Sequence, residues 1–426
     1  MNSTLEGIKS LKRLRFLIGP ITDEQRLNLL RSSQVSFLPM EAIGERGQLD
    51  LSGARELEEV KFGYTQLFDG NVVIAKITPC FENGKGALIQ NLLNGVGFGT
   101  TELHVLNPGP QLEGRFLYYV TSSQPFRSLG EAVMTGAAGQ KRVPEEFVHN
   151  YRIYAPPLPQ QRAIADYLDR ETAKLDALIA AKERLLGLLA EKRRALIARA
   201  VTRGLDPNVP LRNSGISWLG EIPKHWKVER CRWLFRERDE RSESGEEDLL
   251  TVSHITGVTP RSEKDVNMFE AETTEGYKLC YAGDLVINTM WAWMGAMGVA
   301  KIDGIVSPSY NVYTPSSFLD PNYIDAIVRI PVFPQEVARY SKGVWSSRLR
   351  LYPEGFFEIW LPVPPLSEQQ AIVAYIKKET AKLDALKEAA ERTIVLLKER
   401  RTALISEAVT GKIDLHQTAT PLEEGA

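Results

Sequence analysis

The sequence predicts an α+β protein in which two mixed α/β globules alternate with two long helices. Three observations carry this prediction. A 51-residue segment with the composition of helix occurs twice. The stretch before each copy carries short β-like runs between turn residues. A turn-rich segment separates the two halves, and a chain with two similar halves can fold with an internal two-fold axis.

The composition is that of a folded, water-soluble protein with more than one domain. The chain has 426 residues, of which 43% are hydrophobic and 25% charged. We find no apolar run of about 18 residues, the length that a membrane span needs. The first fifteen residues lack the apolar core of a signal peptide. We therefore expect a cytoplasmic protein with no membrane partner.

Metal and disulfide chemistry are not indicated by the cysteines and histidines. Cys80, Cys231 and Cys280 lie far apart, and the five histidines show no ligand spacing. We expect structural roles for them and no metal site. The net charge of −2 is not that of a typical nucleic-acid binder, whose surface is usually basic.

The internal repeat is the strongest pattern in the chain. Pro156–Asp206 aligns with Pro364–Asp414 without a gap, at an offset of 366 − 158 = 208 residues. Of the 51 aligned positions 29 are identical, including the whole stretch Glu171–Leu178, ETAKLDAL. Identity at this level indicates two copies of one structural element.

Both copies read as long helices that pair with each other. Ala, Leu, Glu, Lys and Arg dominate them, and about 43 residues at about 1.5 Å each give rods about 65 Å long. Apolar residues recur at heptad spacing, with one break at Lys182, which is typical of a coiled-coil seam. Packing of each helix on a neighbouring domain is the alternative. The predicted pairing residues are Leu168, Leu175, Leu189 and Leu196 in the first copy, and Ile376, Leu383, Ala390, Leu397 and Leu404 in the second.

The stretches before the helices resemble each other weakly. Arg13–Leu17 is similar to Arg230–Leu234, and Asp69–Ile74 is similar to Ala282–Ile287, an apolar run after a Gly turn. The runs Val72–Ile77 and Gly283–Asn288 predict strands. Two mixed α/β globules follow from this alternation of short runs and turns.

Each of these stretches ends in a polar, basic loop that contains glycine. The loops are Thr135–Arg142, TGAAGQKR, and Lys342–Arg350, KGVWSSRLR. At the offset of 208, Arg142 corresponds to Arg350. A linker, rich in Pro, Gly, Asn and Ser, lies between the halves. The predicted organisation is a first globule at 1–154, a long helix at 155–206, a linker at 207–227, a second globule at 228–362, a second long helix at 363–414 and a flexible tail at 415–426.

Motifs for catalysis are not found. The sequence has no Gly-rich loop that ends in Gly-Lys-Ser/Thr and no Asn-Pro-Pro-aromatic run of an adenine methyltransferase; Ala155–Leu158 lacks both the amide and the aromatic residue. The glycines of Asn94–Thr100 lack a strand–loop–helix context. Glu82 and Asp284 stand alone. We therefore expect no catalytic residue and no cofactor in this chain.

The repeat and its flanks resemble the specificity subunits of Type I restriction–modification enzymes. The run Pro-Pro-Leu-x-x-Gln opens each long helix after a globule, and Ser214–Trp226 and Gly70–Pro79 resemble segments of that family. Gln160-Gln161 departs from the more usual Glu-Gln, which occurs here at Glu368-Gln369. The resemblance extends over essentially the whole chain.

This resemblance implies a non-catalytic subunit that reads double-stranded DNA. Each globule would be a target-recognition domain for one half of an asymmetric, split sequence. The long helices would pair antiparallel and set the distance between the globules. Two modification subunits, which carry S-adenosylmethionine and methylate adenine, would dock on the helices and the regions around them. Restriction subunits would add ATP- and Mg-dependent translocation and cleavage in the full complex.

Candidate DNA-reading residues come from the loops and strand ends of the globules. Arg pairs bidentately with guanine, and Gln or Asn with adenine. Each basic residue is otherwise an ordinary solvated surface charge, but Arg142 and Arg350 recur at equivalent places. Trp291 and Trp345 would more often be core or loop anchors than base-stacking groups. The candidates are Lys76, Lys85, Gln140, Lys141 and Arg142 in the first globule, and Asn288, Trp345, Ser346, Arg348 and Arg350 in the second.

Two other classes of protein compete with this interpretation. A coiled-coil scaffold that brings partners together without touching DNA would have the same repeat, but it would not need two dissimilar globules with basic loops. An enzyme with an unfamiliar site would need a convergent set of acid, base and nucleophile, which the sequence lacks. Salt-sensitive retention of DNA distinguishes a DNA reader from a scaffold.

Overall fold

The computed structural model describes residues 11–137, 139–263, 273–343 and 349–413. Its described residues form two compact units of α+β structure. The first unit comprises the chain up to Lys182 and again from Arg392 onward. The second comprises Glu183–Glu391. Each unit therefore contains part of both long helices.

The first unit begins with nine strands and five short helices. The strands are β1 (Leu11–Arg13), β2 (Gln34–Leu38), β3 (Ala54–Glu56), β4 (Thr65–Phe68), β5 (Val72–Ala75), β6 (Gly86–Leu88), β7 (Val96–Gly99), β8 (Leu103–Leu106) and β9 (Arg152–Tyr154). The helices are α1 (Asp23–Arg31), α2 (Leu57–Val60), α3 (Gly114–Ser122), α4 (Gln124–Ala132) and α5 (Glu145–Asn150). The strands form sheets of order β3-β2-β7-β4, β6-β5-β8 and β1-β9.

The first long helix, α6, runs over Leu158–Arg203, and the second, α11, over Leu366–Val409. Between them lie the strands and short helices of the second unit. The strands are β10 (Leu211–Asn213), β11 (Glu221–Pro223), β12 (Lys227–Arg230), β13 (Phe235–Arg238), β14 (Leu250–Ser253), β15 (Gly257–Pro260), β16 (Lys278–Cys280), β17 (Leu285–Asn288), β18 (Met297–Val299), β19 (Gly304–Val306), β20 (Tyr310–Pro315) and β21 (Trp360–Val363). The helices are α7 (Cys231–Leu234), α8 (Pro321–Val328), α9 (Phe333–Tyr340) and α10 (Pro353–Glu358).

Both units contain the same antiparallel arrangement of three strands. In the first unit β5 lies between β6 and β8, and in the second β17 lies between β18 and β20. Ile74 of β5 pairs with Gly86 and His104, while Ile287 of β17 pairs with Met297 and Asn311. The weak sequence similarity between Asp69–Ile74 and Ala282–Ile287 thus corresponds to the same arrangement of three strands in both units.

The first and last strands of each of these stretches also pair with each other. Arg13 in β1 lies opposite Arg152 in β9, and Arg230 in β12 lies opposite Trp360 in β21. Residues 152 and 360 differ by the repeat offset of 208. The strand that precedes α6 is therefore paired with β1, and the strand that precedes α11 is paired with β12.

The segment that the sequence predicts as a linker contains ordered structure. Strands β10 and β11 form an antiparallel hairpin, and Gly215 and Gly220 adopt positive φ in its turn. Ile222 and Trp226 are buried in the core of the second unit. The turn residues therefore do form turns, but the apolar residues Ile222 and Trp226 fix the segment to the core.

The long helices pair with each other in antiparallel orientation. In the first unit Asp176 of α6 forms an ion pair with Arg401 of α11, and in the second Arg193 of α6 forms an ion pair with Asp384 of α11. The two helices therefore run in opposite directions. The two pairs are reciprocal, because 176 + 208 = 384 and 193 + 208 = 401.

The predicted seam residues are buried or partly buried along both helices. Leu168, Leu175, Leu189, Leu383 and Ala390 are buried, and Leu196, Ile376, Leu397 and Leu404 are partly buried. A second row, outside the predicted heptad row, is also buried: Thr172 and Ile179 in α6, and Thr380 and Ile394 in α11. The 3–4 alternation of these two rows is the spacing expected of a coiled-coil seam.

The ends of the long helices also complete the core of each unit. In the first unit Ile164, near the start of α6, packs with Ala408 and Val409 at the end of α11. In the second unit Ile372, near the start of α11, packs with Ala200 and Val201 at the end of α6. The largest core cluster of each unit therefore includes the ends of both long helices.

Candidate nucleic-acid interface

The two basic loops predicted from the sequence have the same closure. Thr135 and Arg142 exchange two backbone hydrogen bonds, of 3.0 and 2.8 Å, and Lys342 and Arg350 exchange two of 2.9 Å. The first and last residues of each loop are therefore joined by an antiparallel bridge. The correspondence of Arg142 with Arg350 holds in the structure, since each is the second residue of its bridge.

Glycine is required at the base of the first loop. Gly136 has a φ of 135°, and a Cβ atom there would lie 2.7 Å from the carbonyl oxygen of Gln140. A side chain would need both an unfavourable backbone conformation and a displaced loop. This explains the glycine that the sequence places directly after Thr135.

Each loop lies at the end of the central strand, β5 or β17, of the three-strand arrangement that both units contain. After the first loop, the backbone N–H of Val143 donates to the carbonyl of Lys76, the residue that follows β5 (2.8 Å). After the second, the N–H of Leu351 donates to the carbonyl of Thr289, the residue that follows β17 (3.1 Å). Val143 and Leu351 are buried and again differ by 208 residues. Each loop is thus held in place by a rigid sheet, as a recognition site requires.

In the first unit, four of the predicted residues lie close together. Lys76 and Arg142 line one cavity of about 310 Å³, and Gln140 and Lys141 are exposed on the loop beside it. His104 of β8 lies against this cavity with Nε2 2.9 Å from the carbonyl oxygen of Val143, and burial lowers the pKa of its imidazole. A neutral imidazole donating to that carbonyl would help to fix the end of the loop.

Lys85 lies in a different setting from these four. Its Nζ donates to the carbonyl oxygen of Met40 at 2.9 Å, and the residue is partly buried between β5 and β6. The side chain thus connects two segments of the first unit. Its predicted role as a DNA-reading residue stays a prediction.

In the second unit Arg350 is exposed beside an aromatic surface. It lines a cavity of about 670 Å³ together with Trp291 and Lys342. Trp291 is half exposed, and its ring stacks on that of Trp293 with 6.3 Å between the ring centroids. The combination of a guanidinium, an ammonium and an exposed indole is common on surfaces that bind nucleic acid.

The remaining candidates of the second unit are not on this surface or lie outside the described residues. Asn288 is buried, and its Oδ1 accepts a hydrogen bond from the backbone N–H of Met290 at 3.2 Å, so its side chain shapes the turn after β17. Trp345, Ser346 and Arg348 lie outside the described residues.

Glu102 is a residue of this site that the sequence did not reveal. It precedes β8, and its carboxylate binds the guanidinium of Arg142 through two hydrogen bonds of 2.8 and 2.9 Å. Forty residues separate the two in the chain, so no local spacing connects them. Only the pairing of β5 with β8 and the loop closure bring them together.

The glutamine of the Pro-Pro-Leu-x-x-Gln motif has a structural role in both units. Gln161 accepts from the N–H of Glu113 and donates to the carbonyls of Gln111 and Pro156. Gln369 repeats the pattern, with Asp320, Phe318 and Pro364 as partners. Both glutamines are fully buried. The motif therefore joins the start of each long helix to the strands and helices of its own unit.

In the part of the chain that the structure describes, no helix is both long and apolar enough to cross a membrane. Within the same residues, no group of three His, Cys, Asp or Glu side chains is placed to bind a metal ion.

The architecture matches a chain from a type I R-M system and a solved HsdS subunit. A chain from a structure of a type I R-M system, described for its complex assembly and conformational transition, superposes with a TM-score of 0.67 at 19% identity, covering 95% of this chain and 98% of that one. The HsdS subunit from Thermoanaerobacter tengcongensis superposes with a TM-score of 0.57 at 18% identity, covering 95% and 97%. The chain thus has the fold of this class of subunit.

Sequence comparison gives the same family. The chain is 38% identical over 192 residues to the Type I restriction enzyme EcoEI specificity subunit of Escherichia coli, covering 41% of this chain and 30% of that protein. It is 41% identical over 175 residues to the EcoAI specificity subunit of the same organism, covering 37% and 29%. The match thus spans about a third of the length of these curated relatives. No protein-family model matches the chain.

The resemblance predicted from the sequence is confirmed. The chain is a homologue of the Type I restriction enzyme specificity subunits, and the α+β architecture with two long helices packed together agrees with their fold.

Proposed function

We propose that this protein is the sequence-reading subunit of a Type I restriction–modification complex and that it binds double-stranded DNA through the loops of its two units. The observation that carries the proposal is the pair of equivalent loops, 135–142 and 342–350. Each ends in a bridge to an arginine, beside the three antiparallel strands that each unit has in the same arrangement. Homology to proteins named as specificity subunits supports it independently.

The proposed target is a split, asymmetric sequence. The two units share a scaffold but differ at the loops: the first has Lys76, Gln140 and Lys141 around Arg142, and the second has Trp291 and Lys342 around Arg350. Different side chains at base edges select different bases. We propose that each unit is a target-recognition domain for one half-site and that the bases between the half-sites are not read.

The paired long helices are proposed to set the distance between the half-sites. The same helix pairing occurs in each unit, since the ion pairs Asp176–Arg401 and Arg193–Asp384 and the core residues at the helix ends are related by the repeat offset. Because α6 and α11 are long and regular, their length would fix the distance between the two half-sites.

Two copies of one modification subunit are proposed as partners. Apolar side chains are exposed at positions related by the repeat: Leu178 and Leu386, Leu188 and Leu396 are each more than half exposed. Phe16 and Trp233, at equivalent turns after β1 and β12, are 75% and 70% exposed. Exposed apolar groups mark interaction surfaces, and their duplication favours two identical partners.

The chemistry is proposed to lie entirely in the partner subunits. The modification subunits would bind S-adenosylmethionine and methylate adenine, and the restriction subunits would use ATP and Mg for translocation and cleavage. This chain would supply no catalytic residue and would work in the cytoplasm. A scaffold that never touches DNA is the alternative function.

DNA retention as a function of salt separates the two functions. The complex of this chain with its modification subunit should retain a duplex that contains the target, and the logarithm of the affinity should fall linearly with the logarithm of the salt concentration. The matched control is the same complex with both Arg142→Ala and Arg350→Ala, which should retain the target no better than unrelated DNA. Equal retention of target and unrelated DNA by the unmodified complex would favour the scaffold.

A further inference from the structure

Arg142 is held from one side by Glu102. Its Nε donates to Oε2 at 2.9 Å and its Nη2 donates to Oε1 at 2.8 Å. Glu102 is the less exposed partner, at 25% against 44% for the arginine side chain. The carboxylate thus lies behind the guanidinium, which keeps its outer part in contact with solvent.

The contacts of the guanidinium leave one particular edge of it available. Arginine has five N–H groups. Two donate to Glu102, and Nη1 makes one long contact of 3.4 Å with the carbonyl oxygen of Gln140. One N–H therefore remains on each terminal nitrogen. This terminal edge is the pair of donors that matches O6 and N7 of guanine in the major groove.

The backbone fixes both partners of this pair relative to one another. Arg142 lies in the bridge with Thr135, and the carbonyl of Glu102 accepts from the N–H of Lys76 at 2.9 Å. Lys76 in turn accepts from Val143, the residue after Arg142. The hydrogen bonds from Arg142, and more weakly the charges of Arg142 and Lys76, hold the pKa of Glu102 below its ordinary value, so the carboxylate is ionised at neutral pH.

From this geometry we propose that Glu102 is a positioning residue that orients Arg142 to read one guanine in the half-site of the first unit. The inference rests on the proposed function. A carboxylate beside DNA is repelled by the phosphates, so Glu102 lowers affinity for every duplex. It offsets this by restricting the rotamers of a long side chain whose freedom would otherwise be lost on binding. The result is higher discrimination at lower general affinity.

The second unit offers an internal contrast. Leu103 pairs with Ala75 at the end of β5, and Tyr310 pairs with Asn288 at the end of β17, so the residue that corresponds to Glu102 is Ser309. A serine cannot hold a guanidinium through two charge-assisted hydrogen bonds. Arg350 therefore serves as the matched arginine without this carboxylate.

The test uses the complex with its modification subunit and a pool of random-sequence duplexes, from which bound DNA is sequenced. Arg142→Ala should identify the base that Arg142 reads, as the position at which a guanine preference disappears. Glu102→Gln should lower the preference for guanine at that same position by about fivefold or more. It should leave the half-site of the second unit unchanged, and this half-site reports in the same molecules that the complex is folded.

A second readout separates positioning from a merely structural role. Glu102→Gln removes a negative charge close to DNA, so retention of a non-target duplex should rise, whereas a damaged fold would lower it. An unchanged guanine preference in Glu102→Gln would overturn the proposal, as would an Arg142→Ala variant that loses affinity equally for all sequences, which marks a phosphate contact. A wild-type complex that enriches no sequence would instead refute the proposed function itself.

Discussion

At the scale of single residues, the two repeats share side chains that stabilise the fold, whereas the side chains around the proposed recognition loops differ. Gln161 and Gln369 make the same three buried hydrogen bonds in the two units. Each such bond contributes about 0.5–1.5 kcal/mol net, but leaving its partners unpaired would cost more. Around Arg142 and Arg350, in contrast, the neighbouring residues differ, as expected where each unit reads its own bases.

Replacement of Arg350 by Ala tests one unit at a time. If Arg350 reads a base, the variant should lose about 1–3 kcal/mol of binding free energy on the target and relax one position of one half-site. Competition binding with singly substituted target duplexes measures this change. Arg142→Ala is the matched control and should affect the other half-site. An equal loss on every duplex would contradict base reading and identify a phosphate contact.

Equivalent positions could be predicted from the sequence where the repeat duplicated them. The offset of 208 identified Arg142 and Arg350 as equivalent, and the structure places each in a corresponding bridge, with Thr135 and with Lys342. Glu102 was not predicted because its partner lies 40 residues away and only strand pairing brings them together. Asn288 was proposed as a base reader from its residue type, but its burial could not be read from a short apolar run.

At the scale of elements, the long helices are the most regular part of the molecule. Their ion pairs and core contacts are reciprocal under the repeat offset, so that one set of residues makes the same contacts twice. A symmetric homodimer likewise uses one set of residues for two equivalent sets of contacts. A regular antiparallel pair can change in length by whole heptads without a change in its contacts.

Insertion of one heptad near the middle of both α6 and α11 should therefore lengthen the unread spacer. Seven residues add about 10 Å to each helix, which corresponds to at most about 3 base pairs. The sequences of both half-sites should stay the same, because neither loop is altered. Sequencing of methylated sites, with an insertion in α6 alone as the control, measures the outcome. Altered half-site sequences would contradict the role of the helices as a ruler.

The sequence predicted the long elements better than the short ones. Helical composition and identity over the repeat located α6 and α11 closely, whereas the strand Val72–Ile77 was predicted two residues too long at its end. The segment 207–227 was predicted as a linker because turn residues dominate it. Its hairpin depends on the burial of Ile222 and Trp226 in a core assembled from distant residues.

At the scale of the whole molecule, the repeat predicts the number of partners. Leu188→Glu should remove one of two modification subunits, and the double variant with Leu396→Glu should remove both, because a buried charge disfavours each apolar contact. Native mass spectrometry of the co-expressed complex counts the copies. Leu188→Met is the control that keeps an apolar side chain. Two bound copies on the double variant would contradict this docking surface.

We propose that this chain decides which DNA sequence its complex modifies. The methylome of the source cell with and without this gene, read by single-molecule sequencing, tests this directly. Without the gene, adenine methylation should disappear at one split motif and at no other. Unchanged methylation at every split motif, in a cell whose modification subunit is active, would show that the chain does not choose the sequence.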